Sequence, residues 1–354
     1  MSGYDLLRPV LFSLDPEAAH KLALKALATG IHPRPQRRHP ALSQKLLGLD
    51  FPNPIGMAAG FDKNGEVPDA LLALGFGFTE VGTVTPKPQA GNPRPRVFRL
   101  PRHRAMINRL GFNGEGAVAV HRRLAARKGR PGIVGVNVGA NKDAADRVGD
   151  YAAGIYRFAD VADYFTVNIS SPNTPGLRDL HHEVALSELL SRIFEARDLA
   201  KSKVPILLKI APDLDDEALA ATTEIALRSG VEGMVVSNTT IAREAVAGDP
   251  AAAETGGLSG APLYHASTVM LARVRRIVGR RMVLVGVGGV ESAETVLGKL
   301  LAGADLVQFY TGMVYAGPGL PARILAELPK LLAREGVASV TEIVGRDTEA
   351  WAGS

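Results

Sequence analysis

The run Asn168-Ile-Ser-Ser-Pro-Asn173 carries the side chains best suited to chemistry. Asparagine offers a donor and an acceptor, so a set of them suits an amide-bearing ring. Ser171 stands where an apolar run ends and a proline- and glycine-punctuated segment, 172–176, begins. That placement suits a hydroxyl under a lid, and an ordinary Ser-Pro turn would look the same. His181 and His182 follow closely and read as solvated residues between lid and helix. No Ser-His-Asp grouping is evident, so acyl transfer is not expected. Two lysines fall at the ends of apolar runs: Lys209 in 205–210, and Lys63 in Ala59-Gly-Phe-Asp-Lys63. Each could snorkel to water, or could present a cation to a ligand's carboxylate or carbonyl edge. Gly286-Val-Gly-Gly289 and Tyr310-Thr311-Gly312 follow two more apolar runs. Tight turns would look like this, and so would backbone amides brought close to a phosphate; the pair together favours phosphate.

These residues share one setting. Short apolar runs lie near 54–59, 76–84, 132–139, 163–170, 205–211, 233–239, 282–288 and 305–311. Amphipathic stretches such as 184–200, 216–229, 263–278 and 291–301 separate them. Eight strands alternating with helices predict a closed parallel (β/α)8 barrel of the TIM type, with an open doubly wound sheet as the runner-up. Lys63, Thr83, Asn137, Asn168, Lys209 and Asn238 then fall at strand ends, where such barrels do chemistry. The long connections 86–113 and 241–262 read as lids or binding loops.

Residues 1–30 read as two helices, restarted by an Asp15-Pro16 cap and stopped at Gly30. Leu7, Val10, Leu11 and Leu14 share one face, and Ala19, Leu22, Ala23, Ala26 and Leu27 another. Such a pair either hides its apolar face on the barrel or lies in a membrane interface. A basic connector with Arg34, Arg37, Arg38 and Lys45 follows. Three regions are expected: a helical extension 1–45, a barrel 46–340 and a tail 341–354.

The chain has 354 residues, 46% hydrophobic and 22% charged, as in an ordinary folded protein. Its net charge of +5 suits anionic ligands or an anionic surface. With 5% aromatics and no interleaving of basic and aromatic residues, nucleic acid is not an expected partner. The absence of cysteine excludes disulfides, thiolate metal sites, iron–sulfur clusters and a cysteine base; no metal site is expected. No apolar run is long enough to span a bilayer, and the start does not read as a secretion or transit signal.

Taken together, Ala58-Ala-Gly-Phe-Asp-Lys63, Gly82-Thr-Val-Thr-Pro86, Ile107-Asn-Arg-Leu-Gly-Phe112, Asn168-Ile-Ser-Ser-Pro-Asn-Thr-Pro-Gly-Leu177, Lys209-Ile-Ala-Pro212, Ser237-Asn-Thr-Thr240, Thr255-Gly-Gly-Leu-Ser-Gly260 and Gly286-Val-Gly-Gly289 resemble the dihydroorotate dehydrogenases. These are flavoenzymes of pyrimidine synthesis. The resemblance runs from about residue 3 to residue 334 and is to the membrane-associated, quinone-using class. That class carries a serine base, where the soluble classes carry cysteine, and an N-terminal helical pair.

The resemblance implies oxidation of dihydroorotate to orotate, with hydride passing to one FMN per chain and electrons then to a quinone. It implies Ser171 as base with Thr174 as proton-relay partner. FMN would be held by Ala59, Gly60, Thr83, Asn137, Asn168, Lys209, Ser237, Gly260, Gly289, Tyr310 and Thr311. Substrate would be held by Lys63, Asn108, Asn168, Asn173, Asn238 and Thr239, within a pocket formed by Arg109, Leu110, Gly111 and Phe112. His20, Arg99 and Tyr310 would line a quinone tunnel. A monomer is expected, peripheral on the cytoplasmic face of the inner membrane, touching anionic lipid through residues 3–30.

Overall fold

A computed structural model of the chain describes residues 3–32, 35, 38–174 and 176–353. The chain opens with helices α1 (Gly3–Ser13) and α2 (Pro16–Ala28). As expected from Asp15-Pro16, the Asp15 carboxylate accepts from the Ala18 N–H at 2.9 Å and Pro16 occupies the first turn of α2. Helix α1 meets the barrel through its polar and aromatic side chains. Tyr4 donates to the Val314 carbonyl and Arg8 to that of Tyr315, while Phe12 packs edge-on against the Tyr315 ring. Leu6, Leu7 and Val10 are left 73%, 60% and 63% exposed, and Leu14 and Leu22 are exposed as well. The apolar stripe of α1 is therefore turned away from the barrel, whereas α2 buries Ala19 and Leu27 of its apolar face. Among the described residues, no helix is long and apolar enough to cross a membrane. Arg34 and Arg37 of the basic connector lie outside the described residues; Arg38 and Lys45 are exposed.

A hairpin of β1 (Gln44–Leu46) and β2 (Leu49–Phe51) then plugs the bottom of the barrel, with Phe51 edge-on against Phe78 at 5.3 Å. The residue-45 boundary falls inside this hairpin. Next come β3 (Ile55–Met57), α3 (Pro68–Ala73), β4 (Phe78–Val84), β5 (Val97–Leu100), β6 (Ala105–Asn108), α4 (Gly116–Ala125), β7 (Ile133–Val138), α5 (Arg147–Phe158) and β8 (Tyr164–Asn168). They are followed by α6 (Glu183–Leu199), β9 (Ile206–Lys209), α7 (Asp216–Arg228), β10 (Gly233–Val236), β11 (Gly257–Gly260), α8 (Tyr264–Val278), β12 (Val283–Val287), α9 (Ala293–Ala302) and β13 (Leu306–Phe309). Strands β3, β4, β7, β8, β9, β10, β12 and β13 pair in that order, all parallel, and β13 closes back on β3. The open-sheet alternative is excluded by that closure.

Alternation along the strands sends every second side chain into the barrel, so its interior fills in layers. The lower layers hold Phe78, Ile133, Tyr164, Leu207, Val235, Val285 and Leu306. Large rings are matched by missing side chains. A Cβ on Gly56 would lie 2.4 Å from the Phe78 ring, and one on Gly135 would lie 2.1 Å from the Tyr164 ring. The outward faces of the strands pack with the helices into the main core.

The two long excursions are not loose loops. Their strands β5, β6 and β11 pair antiparallel into a three-stranded sheet beside the barrel mouth. After α10 (Thr311–Ala316) and α11 (Leu320–Arg334), the chain ends in α12 (Val340–Ile343) and α13 (Thr348–Ala352). This tail is seated on the barrel: Gly345 and Asp347 donate N–H bonds to Leu300 and Leu301 carbonyls, and Trp351 packs edge-on against Tyr264.

Candidate active site

The mouth of the barrel opens into a cavity of about 300 Å³ that runs on to α2. Strand ends deliver Thr83, Asn168, Lys209, Ser237 and Tyr310 to it, and the following turns deliver Ala59, Gly60, Lys63, Ser171, Asn173, Asn238, Thr239, Gly289 and Thr311. The side sheet adds Asn108, Leu110, Gly111, Phe112 and Gly260. Residues scattered over more than two hundred positions thus share one wall because parallel strands all end on the same side.

Hydrogen bonds fix the amides. Asn168 donates through Nδ2 to Thr83 Oγ1 at 2.9 Å and accepts at Oδ1 from the Ser170 hydroxyl at 2.8 Å. Asn238 donates to the Ser170 hydroxyl at 2.9 Å and accepts from the Thr239 N–H at 2.8 Å. Ser171 is buried, and its Oγ accepts from the Asn173 N–H at 3.3 Å.

The lysines are poised rather than paired. Lys63 Nζ donates to Asn113 Oδ1 at 2.7 Å. Burial, with Arg96 nearby, brings its ammonium down to about 7, against a smaller opposing pull from Glu17. The Lys209 side chain is buried and makes no hydrogen bond or ion pair among the described residues. Burial lowers its pKa, and the Glu80 carboxylate beneath partly offsets this. A buried ammonium without a partner is expensive in isolation, so the site fits a ligand with acceptor oxygens at this edge.

The two glycine turns pack back to back. A Cβ on Gly289 would lie 2.4 Å from Tyr264 Cβ, and one on Gly312 would lie 2.2 Å from the Val290 carbonyl oxygen. Thr311 Oγ1 lies 2.9 Å from Ser259 Oγ. Under the first turn runs Lys299, fully buried, with Nζ 2.6 Å from Ser267 Oγ and 5.3 Å from the Tyr264 ring centroid. No carboxylate pairs with it among the described residues. Backbone amides at a glycine turn suit a phosphate, and burial pushes the Lys299 amine beneath it well below its ordinary range.

Toward α2 the cavity is lined by Glu17, His20, Leu24, Phe61 and Tyr310. His20 lies 3.4 Å from the Tyr310 hydroxyl, and its ring meets Phe61 edge-on. Burial, together with the Lys63 charge, lowers the His20 imidazole to about 4, so it is neutral at pH 7. Glu17 is gripped by Arg96 through two bonds of 3.0 and 2.9 Å, which ties α2 to the side sheet.

Five residues are placed differently from the sequence reading. Arg109 does not line the cavity: its guanidinium pairs with Glu254 at 2.6 Å, donates to the Pro95 carbonyl and stacks on Phe98, locking the side sheet. Arg99 holds the α1–α2 turn through the Phe12 and Leu14 carbonyls and is likewise off the cavity wall. Asn137 lies one layer below the wall and touches it through Thr83. Thr174 is buried behind the wall. His181 is not solvated: both ring nitrogens are shut off from solvent without a hydrogen-bond partner among the described residues, and burial lowers the imidazole to about 4. Sequence reasoning missed Asn113, Glu17, Glu80 and Lys299. For the last two the signal was a lone charge inside an apolar run, Phe78-Thr-Glu80-Val and Val296-Leu-Gly-Lys299-Leu-Leu.

Fold and site together define a β/α-barrel enzyme whose mouth has the donors to suit an anionic group at its glycine turns and a flat polar ring among asparagines and lysines. A family model described as dihydroorotate dehydrogenase matches residues 41–332. Proteins named dihydroorotate dehydrogenase (quinone) from Chelativorans sp. (strain BNC1) and Brucella ovis are each 58% identical to this chain, covering 98% and 99% of it and 97% and 98% of their own lengths. The crystal structure of the Eimeria tenella protein DHODH in complex with ferulenol superposes with a TM-score of 0.90 at 36% identity, covering 96% of this chain and 98% of that one. The ligand-free form from the same organism gives 0.88 at 38% identity, covering 94% and 99%. The chain belongs to the dihydroorotate dehydrogenase family of FMN-dependent oxidoreductases, and within it to the quinone-dependent class.

Proposed function

We propose that this chain oxidises dihydroorotate to orotate in pyrimidine synthesis, with FMN as hydride acceptor, a membrane quinone as final oxidant and Ser171 as base. One observation carries the reading. A single cavity joins the buried Ser171 hydroxyl, the Lys63 and Lys209 side chains and Asn108, Asn168, Asn173 and Asn238 at one end to the neutral His20 and Leu24 of the helical pair at the other.

FMN would be held by Ala59, Gly60, Thr83, Asn168, Lys209, Ser237, Gly260, Gly289, Tyr310 and Thr311, with Asn137 supporting from below. Bound there, it supplies the two-electron acceptor for the hydride that leaves C6 of the substrate. Lys63 pairs with the substrate carboxylate, and Asn108, Asn173, Asn238 and Thr239 meet its ring amides, so orientation lowers part of the barrier. Ser171 Oγ takes the C5 proton while its own hydroxyl proton passes to Thr174 or water, and the C5–C6 double bond forms as proton and hydride leave. A serine is a weak base at its usual pKa, so turnover rises toward alkaline pH. Lys209 would hold the flavin ring at its carbonyl edge and offer a donor there.

The exposed Leu6, Leu7, Val10, Leu14 and Leu22 support a helical pair lying in a membrane interface, where a quinone enters the cavity beside His20. A monomer, peripheral on the cytoplasmic face of the inner membrane, fits this arrangement. The decisive experiment is an anaerobic titration of the purified protein. Dihydroorotate should bleach the flavin absorbance and a quinone analogue should restore it. A colourless protein that takes up no FMN refutes the reading.

A further inference from the structure

The segment that carries Ser171 is fastened from its far end. Leu177 is fully buried in the main core, and the chain turns there into a short 3-10 segment, Arg178–His181. The Arg178 guanidinium reaches back toward Ser171. Its Nε donates to the Ser170 carbonyl at 3.3 Å, and Nη2 lies 3.5 Å from the Thr239 carbonyl. Nη1 pairs at 2.9 Å with the carboxylate of Asp213, which stands in the turn after β9. Asp213 in turn accepts from the Thr240 hydroxyl, and from the Ile241 N–H at 3.3 Å. One ion pair thus joins the segments that follow β8, β9 and β10.

The bond to Ser170 acts on a group that is otherwise unheld. The Ser170 N–H and hydroxyl both donate to Asn168 Oδ1, and the hydroxyl accepts from Asn238. The Ser170 carbonyl has no partner other than Arg178 among the described residues. That carbonyl belongs to the peptide leading into Ser171, so a guanidinium held by Asp213 fixes the tilt of this peptide and with it the direction of the Ser171 side chain. Beyond Ser171 there is a second hold, where Asn92 Nδ2 donates to the Asn173 carbonyl at 3.2 Å. Ser171 therefore lies between two fastened carbonyls. Only the first is held by a charged donor, which makes the stronger kind of hydrogen bond.

We propose that Arg178, held by Asp213, is a positioning residue for the Ser171 hydroxyl: it fixes the peptide before Ser171 so that Oγ faces the substrate carbon that gives up its proton. A reacting group displaced by about 1 Å can lose about 10²-fold in rate, so a hold of this kind bears directly on turnover. It bears on the reduction of the flavin alone. The other end of the cavity, at His20 and Leu24, is lined by neither Arg178 nor Asp213. The proposal rests on the reading of Ser171 as the base, and it adds what aims that base.

The test is the limiting rate at which dihydroorotate reduces the flavin of the loaded protein, read by anaerobic stopped flow. Reoxidation by a quinone analogue and thermal melting are measured alongside. Arg178→Met removes all three contacts. It is expected to lower the limiting rate of reduction about tenfold or more, to change the dissociation constant of dihydroorotate by a smaller factor, and to leave reoxidation at the parent rate. Asp213→Asn keeps an acceptor for Thr240 and Ile241 and withdraws the charge from Arg178, and it is expected to slow the same step. In a Ser171→Ala background no hydroxyl is left to aim, so adding Arg178→Met is expected to cost no more than about twofold further. A purely structural role would slow both half-reactions, or cost the same factor with and without the Ser171 hydroxyl. Either of those results, or a parent-like rate of reduction in Arg178→Met, overturns the proposal. Should Arg178→Met not fold, Asp213→Asn alone and combined with Ser171→Ala decides by the same criteria. A Ser171→Ala protein that reduces its flavin at the parent rate would instead sink the underlying reading, whatever the Arg178 variants do.

Discussion

Replacing Lys63 by methionine removes the ammonium and keeps the length of the side chain. In the proposed complex Lys63 forms a charge-assisted bond with the substrate carboxylate, worth about 1.5–3 kcal/mol. The carboxylate does not react, so the bond serves ground state and transition state alike. Its loss should raise the dissociation constant for dihydroorotate by about ten- to 150-fold and leave the limiting rate of flavin reduction nearly unchanged. The pKa of about 7 sharpens the expectation. The group is charged below that pH and loses its proton above it. In the parent, the dissociation constant should therefore climb about tenfold per pH unit above about 7, while in the variant it stays flat. Stability should move the other way. A lysine whose pKa is lowered on folding binds fewer protons when folded than when unfolded, so its ammonium disfavours the fold at pH 7. The variant should thus melt no lower than the parent in the absence of substrate. Anaerobic stopped-flow bleaching of the flavin against substrate concentration separates affinity from rate. An unchanged affinity with a collapsed limiting rate would place Lys63 in the chemistry and refute carboxylate pairing.

Ser171→Ala should retain bound yellow FMN and lose about 10²- to 10⁴-fold in the rate of flavin reduction; near-parent rates in the same assay would remove the base. Lys299→Met, which deletes the buried amine under the Gly286–Gly289 turn, should weaken binding of FMN to the apoprotein and leave riboflavin binding unchanged, measured by flavin fluorescence quenching. Equal loss for both flavins would show that Lys299 supports the fold rather than the phosphate. Leu7→Glu with Val10→Glu should abolish co-sedimentation with anionic vesicles while dihydroorotate still bleaches the flavin at the parent rate. Retained vesicle binding would locate the membrane contact elsewhere.

The barrel was legible in the sequence because its signals are local. A fully buried parallel strand is an unbroken apolar run, and eight such runs alternate with helical periodicity. The polar residues that interrupt their ends, from Lys63 to Thr311, could be read as a site because one face of the barrel collects all of them. What each charged or polar side chain does once there was a tertiary matter. Arg109 and Arg99 sit in well-placed segments yet turn to Glu254 and to the α1–α2 turn, partners 145 and 85 or more positions away. His181 looks solvated by composition and is enclosed by the packing of its 3-10 turn. The apolar stripe of α1 is plain in the sequence, but its exposure follows only from Tyr4, Arg8 and Phe12 taking the barrel side. Glu80 is one acid in a buried run until closure of the barrel brings Asn137, Tyr164, Thr166 and Gln308 around it from three other strands. Local periodicity determines which elements form; the direction of a side chain and the partner that satisfies it depend on closure, which joins residues the chain keeps far apart.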